Sequence, residues 1–294
     1  MKQHKLKSLF FISTIAFSVI LFISCGSDET NAQHSSFTKF QGAKRVFGEN
    51  LIKKYTRVSY ISGGHNNTIT SHYTYDENGY LTRIDENSYY IEIDYSEENH
   101  ITLLKKESDG TSQWRFKIKV GNNGFAQMAS LEEMRNKTYV NVENIEFFYN
   151  HDNQIERIKT NTPQNGLYEE IFTYSDGDIT TREKYKDGTL RTKVTIVYEK
   201  DQVGKVDNVA KIMDYETFFD LDFDENNYLL FCGLLGNPTK HLPANIKWQS
   251  YSPAQDLIIQ TICKEFDKNR RLLSAEQVYN KTYTIEKIIF NWVW

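Results

Sequence analysis

A repeated strand–turn–strand pattern constrains this 294-residue chain more than any other feature. Each copy has an anchor residue, a polar run of four or five residues, an apolar residue, and a second apolar residue three places further on. The anchors are Tyr75, Tyr95, Val120, Tyr149, Tyr174, Tyr198, Phe223 and Phe266. The copy at Tyr174 departs from the pattern, because Arg182 stands at its last apolar position. Most intervals between anchors are 20–29 residues, which suits two strands with two connections.

The residues before each anchor alternate as strand residues do. Ile91, Ile93 and Tyr95 share one face, and Glu92 and Asp94 lie between them. This period of two predicts strands with one apolar and one polar face.

The turns carry matching chemistry. In Asp76–Gly79 the Asp can cap its own turn and the Gly can take the left-handed conformation; Gly124, Gly177 and Asn227 stand at comparable places. After each turn the apolar residues are three apart rather than two, and this spacing would put them on opposite faces of a regular strand. We therefore predict a β-bulge just past each turn.

Eight such units predict an all-β fold, an antiparallel meander of about sixteen strands that forms a strongly curved or partly closed barrel-like sheet. The near-constant spacing argues against the alternative, a loose β-pattern that only looks repetitive. Four prolines, 19 Tyr and 18 Phe suit many interior strands. The predicted organisation is an export signal at 1–24, a tether at 25–45 and one β-domain at 46–294.

Residues 1–24 have the parts of a secretory signal: Lys2, Lys5 and Lys7, then an apolar stretch too short to span a bilayer as a helix. The small Ser24 precedes Cys25, as in the lipobox of bacterial lipoproteins, which this segment resembles. The resemblance implies lipidation of Cys25 and attachment to a membrane. Phe22 departs from the usual aliphatic residue, and the alternative is an ordinary secretory signal with an incidental cysteine.

The tether begins with Gly26, Ser27, Asp28 and Glu29. This segment is similar to the acidic signal that sends Bacteroidetes lipoproteins to the outer face of the outer membrane, and Ser27, Asp28 and Glu29 are the candidate export residues. A tether that is acidic by coincidence is the alternative. From Ser27 to about Lys44 the chain is polar, which suits a flexible segment.

The core Tyr75–Leu81 resembles the YD repeat of large bacterial surface and toxin-shell proteins. Together with the lipid anchor, the divergent repeats resemble a Bacteroides lipoprotein family of unknown function with a porin-like fold. Gly233–Gly236 and His241–Pro243 look like that family's long connection before its final hairpin. The resemblance covers about residue 46 to the C-terminus and implies the fold; it supplies no catalytic residues.

The interval between the anchors Phe223 and Phe266 is longer than the others. Residues 233–256 hold three of the four prolines and predict an irregular connection with a short helix around Pro238–His241. Trp248 and Tyr251 fall within it and are candidate binding residues, because loops on a rigid sheet often carry function. The alternative is a packed crossover that plugs one end of the sheet.

Besides Cys25, the mature chain has two cysteines. Cys232 is predicted on the second strand of its hairpin, just past the turn, and Cys263 on the first strand of the next hairpin, just before its turn. If these strands are neighbours, the two sulfurs lie at similar heights, so a disulfide between them is a candidate in an oxidising compartment. Two buried thiols are the alternative.

The search for catalytic motifs is negative: the sequence contains no G-x-S-x-G, H-E-x-x-H, phosphate loop or C-x-x-C. We predict no enzyme activity, no cofactor and no metal. His65, His72, His100, His151 and His241 are scattered and are interpreted as solvated turn residues. Asp220, Asp222 and Asp224 could hold Ca²⁺, but a solvated strand face is favoured.

Removal of the signal leaves 32 basic and 39 acidic residues, a net charge of −7 that argues against nucleic acid as a partner. Phe290, Trp292 and Trp294 resemble the C-terminal signal of outer-membrane barrels, yet charged strand residues favour a sheet in water. We expect a non-catalytic binding module for a glycan or an envelope protein, anchored by lipid at the outer membrane surface. The alternative is a structural or assembly lipoprotein, or an outer-membrane barrel-like protein, without a small ligand.

Overall fold

A computed structural model describes residues 40, 42–44, 48, 51–61, 63–198, 225–251, 254–269, 271–279 and 285–294. These residues form sixteen strands and one helix, α1. In chain order the elements are β1 Lys54–Ile61, β2 His65–Tyr75, β3 Leu81–Asp85, β4 Tyr89–Asp94, β5 His100–Glu107, β6 Ser112–Val120, β7 Ala126–Arg135, β8 Thr138–Tyr149, β9 Ile155–Thr162, β10 Gly166–Ser175, β11 Asp178–Lys186, β12 Thr189–Val197, α1 Glu225–Phe231, β13 Asn245–Tyr251, β14 Ala254–Phe266, β15 Leu272–Tyr279 and β16 Ile285–Val293.

The strands form one closed antiparallel barrel in which each strand pairs with its neighbours in sequence. The first and last strands close it, with β1 and β16 paired from Lys54↔Val293 to Ile61↔Ile285. The predicted all-β meander of sixteen strands is confirmed, and the curved or partly closed sheet is a complete barrel. Closure removes the two exposed edges that an open sheet would present.

The predicted bulge occurs just after the turn in five hairpins. It is absent between β4 and β5, where the register runs without a shift and Ile101 and Leu103, two apart, are the buried pair. The register shifts where β2, β6, β8, β10 and β14 meet the strands that follow them. In each case one residue past the turn has no partner: Thr82, Gln127, Glu156, Thr180 and Leu273. Because of the extra residue, Leu81 and Ile84, three apart, are both fully buried.

Turn capping also follows the repeat. The carboxylate Oδ1 of Asp76 accepts hydrogen bonds from the backbone N–H of Asn78 and Tyr80, and Gly79 has a φ of 83°. The side chains of Asn150 and Asp267 accept the equivalent pairs of N–H groups. This local bonding holds each turn in shape without help from the rest of the barrel.

The anchor tyrosines link neighbouring units. Each hydroxyl donates a hydrogen bond to a carbonyl at the start of the preceding odd-numbered strand, at its first residue or, in β11, at its second. The pairs are Tyr95 to Leu81, Tyr149 to Ala126, Tyr174 to Ile155 and Tyr198 to Ile179, at 2.8–3.0 Å. The indole Nε1 of Trp294 donates in the same way to Leu272, at 3.1 Å. We call this series the tyrosine ladder.

Tyr174→Phe is expected to lower the free energy of unfolding by about 1–2 kcal/mol, because it leaves the Ile155 carbonyl without this donor. Urea denaturation of the mature protein measures the change. Tyr139→Phe is the control, since among the described residues the Tyr139 hydroxyl has no hydrogen bond and its outer-wall ring contacts Arg115. Equal losses in the two variants would show that the ladder does not stabilise the barrel.

The even-numbered strands all finish at one end of the barrel, which we call the plug end. We call the opposite end the far end. At the plug end α1 packs inside the wall, and Leu229, Leu230, Cys232, Leu234 and Leu235 are buried. The Leu234 carbonyl accepts a hydrogen bond from the N–H of Ala126, the first residue of β7. The packed crossover, one of the two alternatives for the connection, therefore describes the residues from Gly233 to Ala244.

Two sequence predictions for this region are wrong. The copy ending at Cys232 is not a hairpin, since Glu225–Phe231 is a helix and Asn227 lies within it. The predicted helix at Pro238–His241 is absent from that described segment, which is irregular. The described strands still number sixteen, because β1, β13 and β16 lie outside the repeats.

The C-terminal aromatic residues face into the barrel. Phe290 and Trp292 are each 2% exposed, and their rings pack with Tyr55 at 6.3 and 6.0 Å between centroids. In a transmembrane barrel such residues would face lipid. Here they fill the core beside the closing strand pair.

Candidate functional site

The inner wall of the barrel changes character along its length. Near the plug end its side chains are apolar and buried, as for Phe116, Ile118 and Ile145. Towards the far end it carries polar and aromatic side chains that stay partly exposed; they include Arg57, Tyr89, Lys105, Tyr168, Lys186 and Trp248. The half of the wall nearer the far end is therefore the part that can meet a ligand.

A group of six side chains, which we call the inner cluster, marks the boundary between these halves. Its members are Ser71, Glu86, Tyr89, Lys105, Trp114 and Tyr228. They come from β2, the β3–β4 turn, β4, β5, β6 and α1. The helix thus contributes to the same site as four neighbouring strands and one turn.

Glu86 organises the polar side of the inner cluster. Its carboxylate accepts hydrogen bonds from the hydroxyls of Ser71 at 3.0 Å, Tyr228 at 3.1 Å and Tyr89 at 2.6 Å. The two tyrosine hydroxyls are also 3.0 Å apart. Three donors on one carboxylate fix its orientation and tie α1 to the wall.

Lys105 occupies the aromatic side of the inner cluster. Its ammonium lies over the Tyr89 ring, 3.8 Å from the centroid, and 5.9 Å from the Trp114 centroid. Trp114 in turn stacks on Tyr228 at 6.5 Å. Register places Lys105 opposite Ile91 and Trp114, both buried on the inner wall. The site therefore presents a cation among rings, beside a carboxylate and two hydroxyls.

A second inner-wall feature is the buried ion pair of Glu170 on β10 and Arg182 on β11. The Arg182 Nε donates to Glu170 Oε2 at 2.8 Å, and the two side chains are 2% and 5% exposed. Arg182 is the residue that departs from the repeat. The departure marks a charged contact inside the barrel, and its partner lies in the preceding strand.

The connection is held to the barrel by Asp178, which is 1% exposed at the start of β11. Its carboxylate accepts hydrogen bonds from the backbone N–H groups of Lys240 and His241, at 3.1 and 2.9 Å. The His241 ring nitrogen Nδ1 lies 2.7 Å from Asp178 Oδ2. The interpretation of His241 as a solvated turn residue is therefore wrong; it fastens the connection.

The candidate binding residues Trp248 and Tyr251 both lie on β13, not in the irregular connection, which ends before Asn245. Trp248 faces inward opposite Val194 and Leu257 and packs against the core. Tyr251, three residues on, is 49% exposed and belongs to the outer wall. The structure does not bring the two rings together, because an offset of three on a strand separates the faces.

Cys232 is a free thiol, fully buried just after α1. The candidate disulfide with Cys263 required Cys232 on the second strand of its hairpin, and the helix removes that geometry. Burial raises the pKa of the Cys232 thiol to about 12, partly offset by a hydrogen bond with Tyr95. The structure thus gives Cys232 as a buried thiol, the alternative to the disulfide.

Several predicted site residues lie outside the described part of the chain. They are Cys25, Ser27, Asp28 and Glu29 of the anchor and export signal, and Asp220, Asp222 and Asp224. Their roles stay predictions.

The outer wall carries ion pairs between neighbouring strands. They include Lys106–Glu92, Arg115–Glu132, Lys159–Glu169, Lys193–Glu183, Lys247–Asp256 and Lys287–Glu276. Several outer rings lie under cations, such as Tyr90 under Arg83 and Phe148 under Arg157. Where the structure is described, no helix is long and apolar enough to cross a bilayer.

No protein-family model and no curated protein matches this chain. Two solved structures are similar to it. A porin-like protein from Bacteroides uniformis has a TM-score of 0.61 at 15% identity, covering 82% of this chain and 97% of that chain. A porin-like protein from Bacteroides vulgatus has a TM-score of 0.57 at 12% identity, covering 83% and 98%. At these identities the likeness shows the fold, so the porin-like barrel is confirmed.

Sequence reasoning missed the inner cluster. Tyr89, Lys105 and Trp114 look like ordinary strand residues, and the contact of Tyr228 with Tyr89 joins positions 139 residues apart. One signal was present: Lys105 follows Ile101 and Leu103 with a period of two, so it continues an apolar face with a charge. A lysine on a buried face is a mark of an inner site.

Proposed function

We propose that this chain is a lipid-anchored outer-membrane protein whose barrel stands in water at the cell surface and binds a ligand on its inner wall. The charged outer wall carries the proposal. A barrel inside a bilayer needs an apolar outer band, and each Arg or Lys at the midplane of that band costs about 2–4 kcal/mol. Here ion pairs join neighbouring strands on the outer wall, and apolar residues fill the interior of the plug end.

The position of the N-terminal residues fits this arrangement. Phe40 packs at the plug end, where its ring lies 5.3 Å from Tyr80 and 5.8 Å from Tyr95. The first described residue thus lies at the plug end. The far end, with its partly exposed inner wall, is the end that would receive a ligand.

A binding module is favoured over a purely structural role by the inner cluster. A structural barrel has no need for a partly exposed ammonium between two rings on its inner wall. The ligand class is a glycan or a segment of an envelope protein, since rings, hydroxyls and charges bind either.

Cys25→Ser is expected to move the full-length protein from the outer-membrane fraction to the aqueous fraction of expressing cells, because the lipid would be its only attachment. Immunoblots of the separated fractions measure the shift. A Cys25→Ser protein that stays with the membranes would show that the barrel itself is inserted.

The same cells test surface exposure. Protease added to intact cells is expected to digest the wild type, whereas the Asp28→Ala, Glu29→Ala double variant should be protected. Protection of both would place the barrel on the inner side of the outer membrane and contradict the surface location.

A further inference from the structure

Three cations of the inner wall differ in their partners both from the cations of the outer wall and from Arg182, which pairs with Glu170. On the outer wall, Lys106, Arg115 and Lys193 each contact a carboxylate of a neighbouring strand. On the inner wall, among the described residues, Arg57, Lys105 and Lys186 have no such contact. Lys186 contacts only the Tyr168 ring, 5.2 Å from its centroid.

Arg57 shows the difference most clearly. It lies on β1 opposite Ile69 and the buried Phe290, so it faces the interior. Its Nε is buried and has no hydrogen-bond partner. A buried guanidinium N–H without an acceptor is costly, and an anionic group that accepts from it would remove the cost.

Lys105 is the best-defined of these cations. The nearest organised carboxylate, Glu86, already accepts three hydroxyl hydrogen bonds, and its contacts do not include Lys105. The rings of Tyr89 and Trp114 hold the ammonium in place without neutralising it. Its three N–H donors therefore remain available to a ligand.

The inner cluster combines this cation with groups that suit a sugar. The partly exposed ring of Tyr89 offers apolar contact to a pyranose, and the Glu86 carboxylate and the Tyr89 hydroxyl can bond sugar hydroxyls. The ammonium of Lys105 would meet a charged substituent. The mature chain is acidic overall, so cations left unpaired on the inner wall select for anions at that site rather than along the whole surface.

We propose that the inner cluster binds an acidic saccharide, a sugar chain that carries carboxylate or sulfate groups, with Lys105 and Arg57 meeting the charged groups. This inference rests on the proposed function and names its ligand class. The saccharide would enter from the far end. Its charged groups would replace the carboxylate partners that these two cations lack.

Binding can be followed by tryptophan fluorescence and calorimetry of the mature protein with oligogalacturonate, a sulfated chondroitin oligosaccharide and a neutral maltooligosaccharide of equal length. The acidic probes are expected to bind more tightly than the neutral one and to weaken as salt is raised. Lys105→Gln is expected to weaken acidic binding about 10-fold or more, and Arg57→Gln to weaken it further.

Lys119→Gln is the matched control, because Lys119 lies on the adjacent strand β6 but is exposed on the outer wall. Unfolding curves of all variants confirm that the barrel is intact. Equal binding of neutral and acidic probes, unchanged by Lys105→Gln, would overturn the acidic-saccharide inference and leave the binding module in place. No binding of any probe would overturn the inference as well, while the Cys25→Ser fractionation judges the anchoring separately.

Discussion

Gly233→Ala is expected to lower the free energy of unfolding by about 2–5 kcal/mol, the sum of left-handed backbone strain and a forced backbone displacement. Gly233 has a φ of 76° where the chain leaves α1. A Cβ there would lie 2.2 Å from the carbonyl oxygen of Gly42. Both atoms belong to packed segments at the plug end, so the contact is relieved only if α1 or the N-terminal segment moves.

Gly188→Ala is the matched control for this variant. Gly188 has a φ of 75°, nearly the same, but a Cβ there would meet nothing within 4 Å. It should therefore cost only the conformational strain, about 1–2 kcal/mol. Urea denaturation of both variants measures the difference. Equal losses would show that the close approach of the connection to the N-terminal segment does not exist in solution.

Arg182→Met is expected to lower the free energy of unfolding by about 3–5 kcal/mol, because it leaves the buried Glu170 carboxylate without its cation. The outer-wall substitution Arg83→Met is the control. Arg83 pairs with Asp85 at 2.6 Å, but both side chains are more than a third exposed, so the loss should not exceed about 1 kcal/mol.

The double variant Glu170→Leu, Arg182→Met separates the ion pair from the packing at this site. Replacing both charges by apolar groups of similar size removes the uncompensated carboxylate, so the double variant should be more stable than Arg182→Met alone. Chemical denaturation at neutral pH compares the wild type, Arg182→Met, Glu170→Leu and the double variant. A double variant that loses the sum of the two single-variant losses would contradict the pairing.

The inner cluster lies next to the part of the barrel that is most tightly packed. The tyrosine ladder, the bulges and α1 stabilise the plug end, and the inner cluster lies where this packed region meets the partly exposed inner wall. Tyr228 belongs to both, since it is buried on α1 and its hydroxyl bonds Glu86. The site is thus built on the rigid part of the barrel, which keeps Lys105 and its ring partners in place for a ligand.

Much of the barrel wall could be predicted from the sequence, because the patterns that specify its strands, turns and bulges are local. The alternation around Tyr95, the capping Asp76 and the three-residue offset from Leu81 to Ile84 each depend on fewer than ten neighbouring residues. From these the strand count, the turns and the bulges follow. Even the departure at Arg182 is visible, as a charge at a position that the repeat keeps apolar.

Prediction failed where the same residues fit two structures. The stretch ending at Cys232 has the spacing of a hairpin, yet it forms α1 because the interior of the plug end offers a helix an apolar surface on several sides. The proline-rich sequence around Trp248 and Tyr251 predicts one loop, whereas the strand β13 sends the two side chains to opposite walls. His241 gave no local sign that Asp178, 63 residues earlier, would hold it.

The sequence by itself determined the repeat, the turn chemistry, the bulges and the antiparallel meander, because hydrogen bonding and side-chain alternation within one hairpin are short-range. It also supplied the expectation of a lipid on Cys25. Only the tertiary structure decided that the sheet closes, that its charges face outward, and that a helix fills one end. Those features, and the inner cluster with them, depend on contacts between residues far apart in the chain, such as Tyr89 and Tyr228, which no local pattern encodes.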